Sequence, residues 1–231
     1  MKKIVALLAL ISVVRGLAQN QADTSSGKKH KILIGASFSP NYCYRTLINN
    51  GGGSITSSAI SFRNSYEIPK YGYSTGINLF YELTSHIEFG AGFSYSNIGF
   101  QIDTKDLTWD NSFSNPAFVP PPNLFVTYNY IDIPLKVFFS YGNKRIRFIS
   151  GIGINGNILV NNTSLSSSFI DEYNISPEIS LGIECRLYSR MYLRAEPSFQ
   201  YEILSTIRES DLVLEQHLWS AGVNVSLLYH F

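Results

Sequence analysis

Eight segments of this chain alternate apolar and polar residues with period two, and one face of each carries no charged side chain. Alternation with this period marks a strand with two unlike faces. The segments are 31–42, 71–84, 86–100, 127–141, 146–159, 175–188, 191–203 and 217–231. In the last, Trp219, Ala221, Val223, Val225, Leu227, Tyr229 and Phe231 share a side. Ser220, Gly222, Asn224, Ser226 and His230 take the other, with Leu218 and Leu228. In the sixth, Ile175, Pro177, Ile179, Leu181, Ile183, Cys185 and Leu187 oppose Ser176, Glu178, Ser180, Gly182, Glu184 and Arg186. In the second, Tyr73, Ile77, Leu79, Tyr81 and Leu83 oppose Ser74, Gly76, Asn78 and Glu82.

The second face of these segments contains Glu82, Glu88, Asp132, Lys136, Arg147, Glu178, Glu184, Arg186, Arg194, Glu196 and Glu202. A Lys or Arg facing hydrocarbon at mid-bilayer costs about 2–4 kcal/mol, and every segment avoids that cost. Aromatic residues recur near the segment ends, as Tyr71, Tyr73, Tyr95, Tyr141, Trp219, Tyr229 and Phe231. That placement suits interfacial girdles.

The connections alternate in length. Tight ones fall at Ser85, at Gly142–Arg145 and at Ser189; long polar ones fall at 43–70, 101–126, 160–174 and 204–216. Gly51–Gly53 and Pro120–Pro122 mark the long ones. Short turns alternating with long loops are the pattern of a membrane barrel. Unpaired backbone in hydrocarbon costs several kcal/mol per group, so such strands must close on themselves. The expected fold is all-β: an eight-stranded antiparallel transmembrane barrel, wound as an up-and-down meander. Eight strands leave an interior that side chains fill. The inward set pairs acids with bases, so a narrow lumen plugged by a structural charge network is expected. A soluble lipocalin-like barrel, with the apolar face inward, is the alternative arrangement.

Lys2-Lys3, the apolar run Ile4–Val14 and the small residues Gly16–Ala18 read as a secretory signal peptide over 1–18. Residues 19–30 read as a polar periplasmic linker, and 31–231 as the barrel domain. Eighteen Lys and Arg balance seventeen Asp and Glu, so no global field attracts nucleic acid. Charged residues make up 15% of the chain, against about 25% in an ordinary soluble domain.

Taken together, the leader, the eight strands and the ending Tyr229-His230-Phe231 resemble bacterial outer-membrane β-barrels. A terminal aromatic on an amphipathic last strand is similar to the signal that the family's assembly machinery reads, which assigns that role to Tyr229 and Phe231. Tyr128–Lys136 and Phe148–Gly153 are similar to strands of the PorT-like barrels of Bacteroidota. The resemblance implies an outer-membrane location. It implies outer-membrane lipid, lipopolysaccharide and the barrel-assembly machinery as partners, with envelope or secretion proteins as further ones.

Candidate chemistry is sparse. Gly151–Gly156 matches GxGxxG, with Asp171 about 20 residues on. A dinucleotide site needs a helix to follow, and this run continues as strand, so the glycines read as relief of crowding. Cys43 and Cys185 fall at opposite ends of the barrel and read as free thiols. His30 falls in the linker, His86 at a turn and His230 at the end. His217, read as outward-facing beside Glu215 and near Ser220, is the one candidate base for an enzyme acting on outer-leaflet acyl chains. Ser220 faces inward, away from it. No metal spacing, cofactor motif or catalytic set emerges. The expected role is non-enzymatic, through long external loops. A narrow pore, a rim lipid-processing enzyme and an accessory of a PorT-type secretion apparatus are the alternatives.

Overall fold

The computed structural model describes residues 31–49, 53–104, 123–143, 145–163, 170–209 and 214–231. The segments read as leader (1–18) and linker (19–30, with His30) and most of the connection 101–126 lie outside the described residues. In chain order the elements are β1 (Lys31–Asn49), α1 (Ser54–Tyr66), β2 (Glu67–Glu82), β3 (Ile87–Asp103) and β4 (Asn123–Gly142). Then follow β5 (Ile146–Asn162), β6 (Tyr173–Arg186), β7 (Met191–Tyr201), β8 (Ile207–Glu209) and β9 (Leu214–His230).

All pairings are antiparallel between neighbours in the chain, apart from two. β7 pairs β9, and β1 pairs β9 to close the ring. Eight strands therefore form an up-and-down barrel. β8 stands outside the count, because it only extends the start of β9 through Ile207↔Gln216. The closing seam is long, running from Leu33↔His230 to Asn49↔Leu214.

Tight reversals join the strands at one end, called here the turn end. Leu83 N donates to Ile87 O at 3.0 Å, Asn143 N to Ile146 O at 3.0 Å, and Leu187 N to Met191 O at 2.9 Å. Gly142 takes φ +135°, a region open to glycine and costly for other residues. Long connections lie at the opposite, loop end.

The faces are inverted relative to a water-soluble protein. Ile77, Ile152, Ile179 and Leu181 are more than half exposed, whereas Glu184, Arg194 and Glu196 are at most 2% exposed. An apolar belt outside and charge inside excludes the lipocalin-like arrangement and matches the faces read from the alternation. Strands of 14 to 20 residues, all but β7 and β8, exceed the 9–11 that cross a bilayer, so the barrel wall continues past the apolar belt.

The connection 43–70 differs from its reading as a loop. β1 continues to Asn49 because β9 offers it backbone partners as far as Leu214. Residues Ser54–Tyr66 then form α1, entered from Gly53 without a side-chain cap. Ser58 and Ser65 hydroxyls donate back to the carbonyls of Ser54 and Ser61 at 2.9 and 3.0 Å. Arg63 in the last turn reaches Glu67 four residues on at 2.6 Å. These local bonds hold a helix whose apolar periodicity is weak.

Candidate functional site

Inward side chains divide the lumen into two closures with a polar chamber between them. The closure at the turn end is ionic and aromatic. Arg194, on β7, donates to Glu184 of β6 at 2.6 and 3.0 Å and pairs with Glu88 of β3 at 2.7 Å. Arg147, on β5, pairs with Glu82 at 2.9 Å and with Glu184. The Arg194 guanidinium also lies 4.4 Å from the Phe80 ring centroid and 5.1 Å from that of Phe138. The two rings meet edge to face at 5.7 Å. Leu33, Ile149 and Leu228 complete this cluster.

Phe138 fits only because its neighbours are glycines. A Cβ on Gly151 would stand 2.7 Å from the Phe138 ring, and one on Gly90 2.9 Å. The first of those contacts explains the leading glycine of the Gly151–Gly156 run. It lies wholly within β5, paired on both sides, where no helix N-terminus is available to hold a phosphate.

The closure at the loop end is a different construction. Cys43, Ile98, Phe100, Tyr128, Tyr130 and Leu218 form a buried cluster. Over it, Arg45 pairs with Glu67 at 2.5 Å and donates to Asn64 of α1 at 2.6 Å. Arg63 donates to Gln216 at 2.6 Å, and Gln216 donates to the Tyr128 hydroxyl at 3.2 Å. Lys70 donates to Asn97 and Thr127 at 3.0 and 2.8 Å. Arg45, Arg63, Glu67 and Lys70 escaped the sequence reading because all lie in the segment taken as loop. The Arg63-to-Glu67 spacing was the signal that could have found the helix.

Between the closures lies a chamber of about 60 Å³. Serines and asparagines of β1, β2 and β9 line one wall; Asp132, Lys136, Asn155 and Glu178 line the other. Lys136 pairs with Glu178, and Glu178 accepts from Asn155 at 2.7 Å. Asp132 accepts from Asn157 at 2.7 Å. A smaller lobe below it, about 10 Å³, is lined by Glu196, Lys136 and Phe138.

Nine of the eleven charges read as lumenal thus lie within the turn-end closure and the chamber. Two lie elsewhere. Arg186 is exposed, because β6 ends there and its guanidinium bonds the carbonyls of Tyr188 and Ser189 in the turn. Glu202 stands just beyond β7 at the loop end, accepting from Asn174 at 2.9 Å and Thr206 at 2.6 Å. Burial pushes its carboxyl up to about 8.

His217 was read as lying on the outer face near the external rim, where a lipid chain could reach it. It is instead 6% exposed, stacked on Tyr201 at 5.6 Å, with Nδ1 3.1 Å from the Glu202 carbonyl and Nε2 3.6 Å from Glu215. Ser220 is buried on the lumen side. The pair shares no open surface on which a lipid could react. Cys43 and Cys185 are both free. Tyr229 and Phe231 point outward at the turn end, their rings 5.1 Å apart, and Phe231 N donates to Ile32 O at 3.1 Å.

No known family profile matches the chain, and no curated protein does. Among solved structures it is similar to the outer membrane protein OprG from Pseudomonas aeruginosa, at 11% identity and a TM-score of 0.50, over 87% of this chain and 95% of that one. It is also similar to outer membrane protein AlkL in lipid bilayers, at 15% identity and 0.49, over 91% and 94%. Neisserial surface protein A gives 11% and 0.48, over 85% and 96%. At 11% identity the likeness to OprG speaks for the fold alone. That fold is the eight-stranded antiparallel barrel of outer-membrane proteins.

Proposed function

We propose that the chain is an integral outer-membrane protein whose barrel is a sealed, non-enzymatic scaffold and whose loop end faces outward to engage other envelope molecules. The observation that carries this reading is the double closure of the lumen beneath a built rim. The wall continues past the apolar belt, and α1 is tied onto it by Arg63 and Arg45. On that helix Ile55 is 75% exposed and Phe62 57%, which offers apolar contacts at the mouth of a rigid barrel. The PorT-like segments add a finer reading, an accessory role in a secretion apparatus. The turn end would then face the periplasm, with Tyr229 and Phe231 presented to the assembly machinery.

Thiol labelling of intact bacteria tests location and orientation together. I55C is expected to react with a membrane-impermeant maleimide on whole cells. Y188C, at a tight turn, is expected to react only after the outer membrane is opened. Labelling of Y188C but not I55C on whole cells would invert the orientation. Recovery of the chain in the soluble periplasm would overturn the reading.

A second reading, a gated narrow pore, is favoured by the polar chamber. It requires both closures to open.

A further inference from the structure

Exposed positive charge is gathered on one side of the turn end. Among the described side chains, Arg145, Arg186 and Arg190 are exposed and have no acidic partner. Arg45, Arg63, Lys136, Arg147 and Arg194, by contrast, are each held by a carboxylate. The chain path brings the three exposed arginines together. Arg186 N donates to Arg145 O at 2.9 Å, which sets the start of β5 beside the end of β6. A tight turn then returns to β7, and Arg190 O accepts from His230 N at 2.8 Å, beside the end of β9. Neighbouring strands lie about 4.8 Å apart, so the three arginines span roughly 10 Å of the rim. The guanidinium of Arg186 bonds only carbonyls of its own turn, and that of Arg190 lies 3.4 Å from the Tyr229 hydroxyl.

Nothing described at this end offsets the three charges. Glu82, Glu88 and Glu184 face the lumen, where Arg147 and Arg194 hold them. No acidic side chain is exposed at the turn end among the described residues, and the turn Leu83–His86 between β2 and β3 has no Lys or Arg. The arc therefore lies on the side of β5, β6 and β7. It borders the apolar wall as well as water. Ile146, Leu187, Tyr188, Tyr229 and Phe231 are exposed beside it, and Phe148, Leu181 and Ile183 carry the outer face on into the belt. Guanidinium groups match phosphate oxygens in forked pairs, and tyrosines sit at the level of lipid headgroups. A partner that satisfies both parts of this surface has an anionic head and an apolar tail. A free anion would leave the apolar part unused.

We propose that Arg145, Arg186 and Arg190 form a binding surface for the phosphate of an anionic glycerophospholipid, whose acyl chains lie along the outer face of β5, β6 and β7. The inference rests on the proposed orientation, with the turn end towards the periplasm, and draws the lipid from that leaflet. The lipid then fixes the depth of the barrel on one side, at the end opposite α1.

The test follows unfolding of the full chain, refolded in zwitterionic detergent, as phosphatidylglycerol or phosphatidylcholine with the same chains is added in rising mole fraction. Phosphatidylglycerol is expected to raise the unfolding midpoint with a saturating dependence, as a ligand of the folded state must, and phosphatidylcholine is not. One basic side chain near an anionic headgroup is worth about fivefold in occupancy. R145Q and R190Q are therefore each expected to raise the half-saturating fraction about fivefold, and the double variant further. R145K/R190K is expected to keep the response, and E172Q, exposed at the loop end, to leave it unchanged. Equal responses to the two lipids would overturn the proposal. So would a response that R145Q/R190Q leaves intact, or one that inorganic phosphate alone reproduces in full. Micelles have no sidedness, so this readout is independent of the cell labelling. Y188C labelled on whole cells would overturn the leaflet, whereas equal lipid responses would overturn the surface itself.

Discussion

The two closures of the lumen do the same job with different parts. At the turn end every charged member sits on a barrel strand: Glu82 on β2, Glu88 on β3, Arg147 on β5, Glu184 on β6 and Arg194 on β7. Its positions are fixed by the same ladder that builds the wall. At the loop end, a tyrosine-rich cluster is covered by a helix outside the wall, and the covering contacts run through Arg63, Arg45 and Gln216. The first closure can open only if the barrel deforms. The second can loosen while the barrel stays intact. Stability is therefore concentrated at the turn end and local freedom at the loop end.

The sharpest way to break this contrast is Arg194→Leu. It strands Glu88 and Glu184 in a buried site, and removing one partner of a buried ion pair costs about 3–5 kcal/mol. A large fall in the urea midpoint of the refolded barrel is expected. An unchanged midpoint would mean that the closure adds nothing to the wall.

Gly151→Val should cost less, about 1–3 kcal/mol, as overpacking does, because its side chain would drive into Phe138. Gly156→Val, where a Cβ would meet nothing within 4 Å, is the control expected to sit near wild type. Equal losses at both positions would detach the effect from Phe138.

The pH response sharpens the loop end. Glu202 ionises near 8 when folded, against about 4.3 when unfolded. Between those values the unfolded chain releases a proton that the folded chain keeps. Its contribution to stability is therefore full below the unfolded value and is lost as pH rises towards 8. The slope is at most ~1.4 kcal/mol per pH unit for one proton. E202Q is expected to flatten this fall, measured by urea unfolding at pH 5 to 9. A wild type whose stability rises across that window would contradict the assignment.

The smallest effect is expected for Arg63→Ala. Its partly exposed pair with Glu67 contributes about 0–1 kcal/mol. Global stability should barely move, while hydrogen exchange of the amides of α1 accelerates. Slow exchange in the variant would mean that the helix is held by something other than Arg63 and Gln216.

The same contrast explains what the sequence made legible. Period-two alternation fixes faces, so inward charges on the strands could be named one by one. Leu218 and Leu228 looked like exceptions on the polar face of the last strand, and they are members of the two closures. Arg186 continues the alternation but falls where the strand ends, and a turn releases its side chain from either face. The loop-end closure was hidden because α1 has no side-chain cap, no acidic first turn and only one buried residue, Thr56. Local bonds close its turns, but its docking onto the barrel runs from Arg63 to Gln216, and no local pattern records a pairing across that separation. His217 was misread for a related reason. Alternation gave its side of the strand correctly, but not the Tyr201 ring that covers it.

Conductance is the most direct test of the central claim that the lumen is closed at both ends. The full chain should be refolded, shown to be a barrel by its heat-dependent gel shift, and inserted in a planar bilayer. A folded but silent barrel is the expected result. Steady, discrete openings at low voltage would contradict the sealed scaffold and make the protein a small channel.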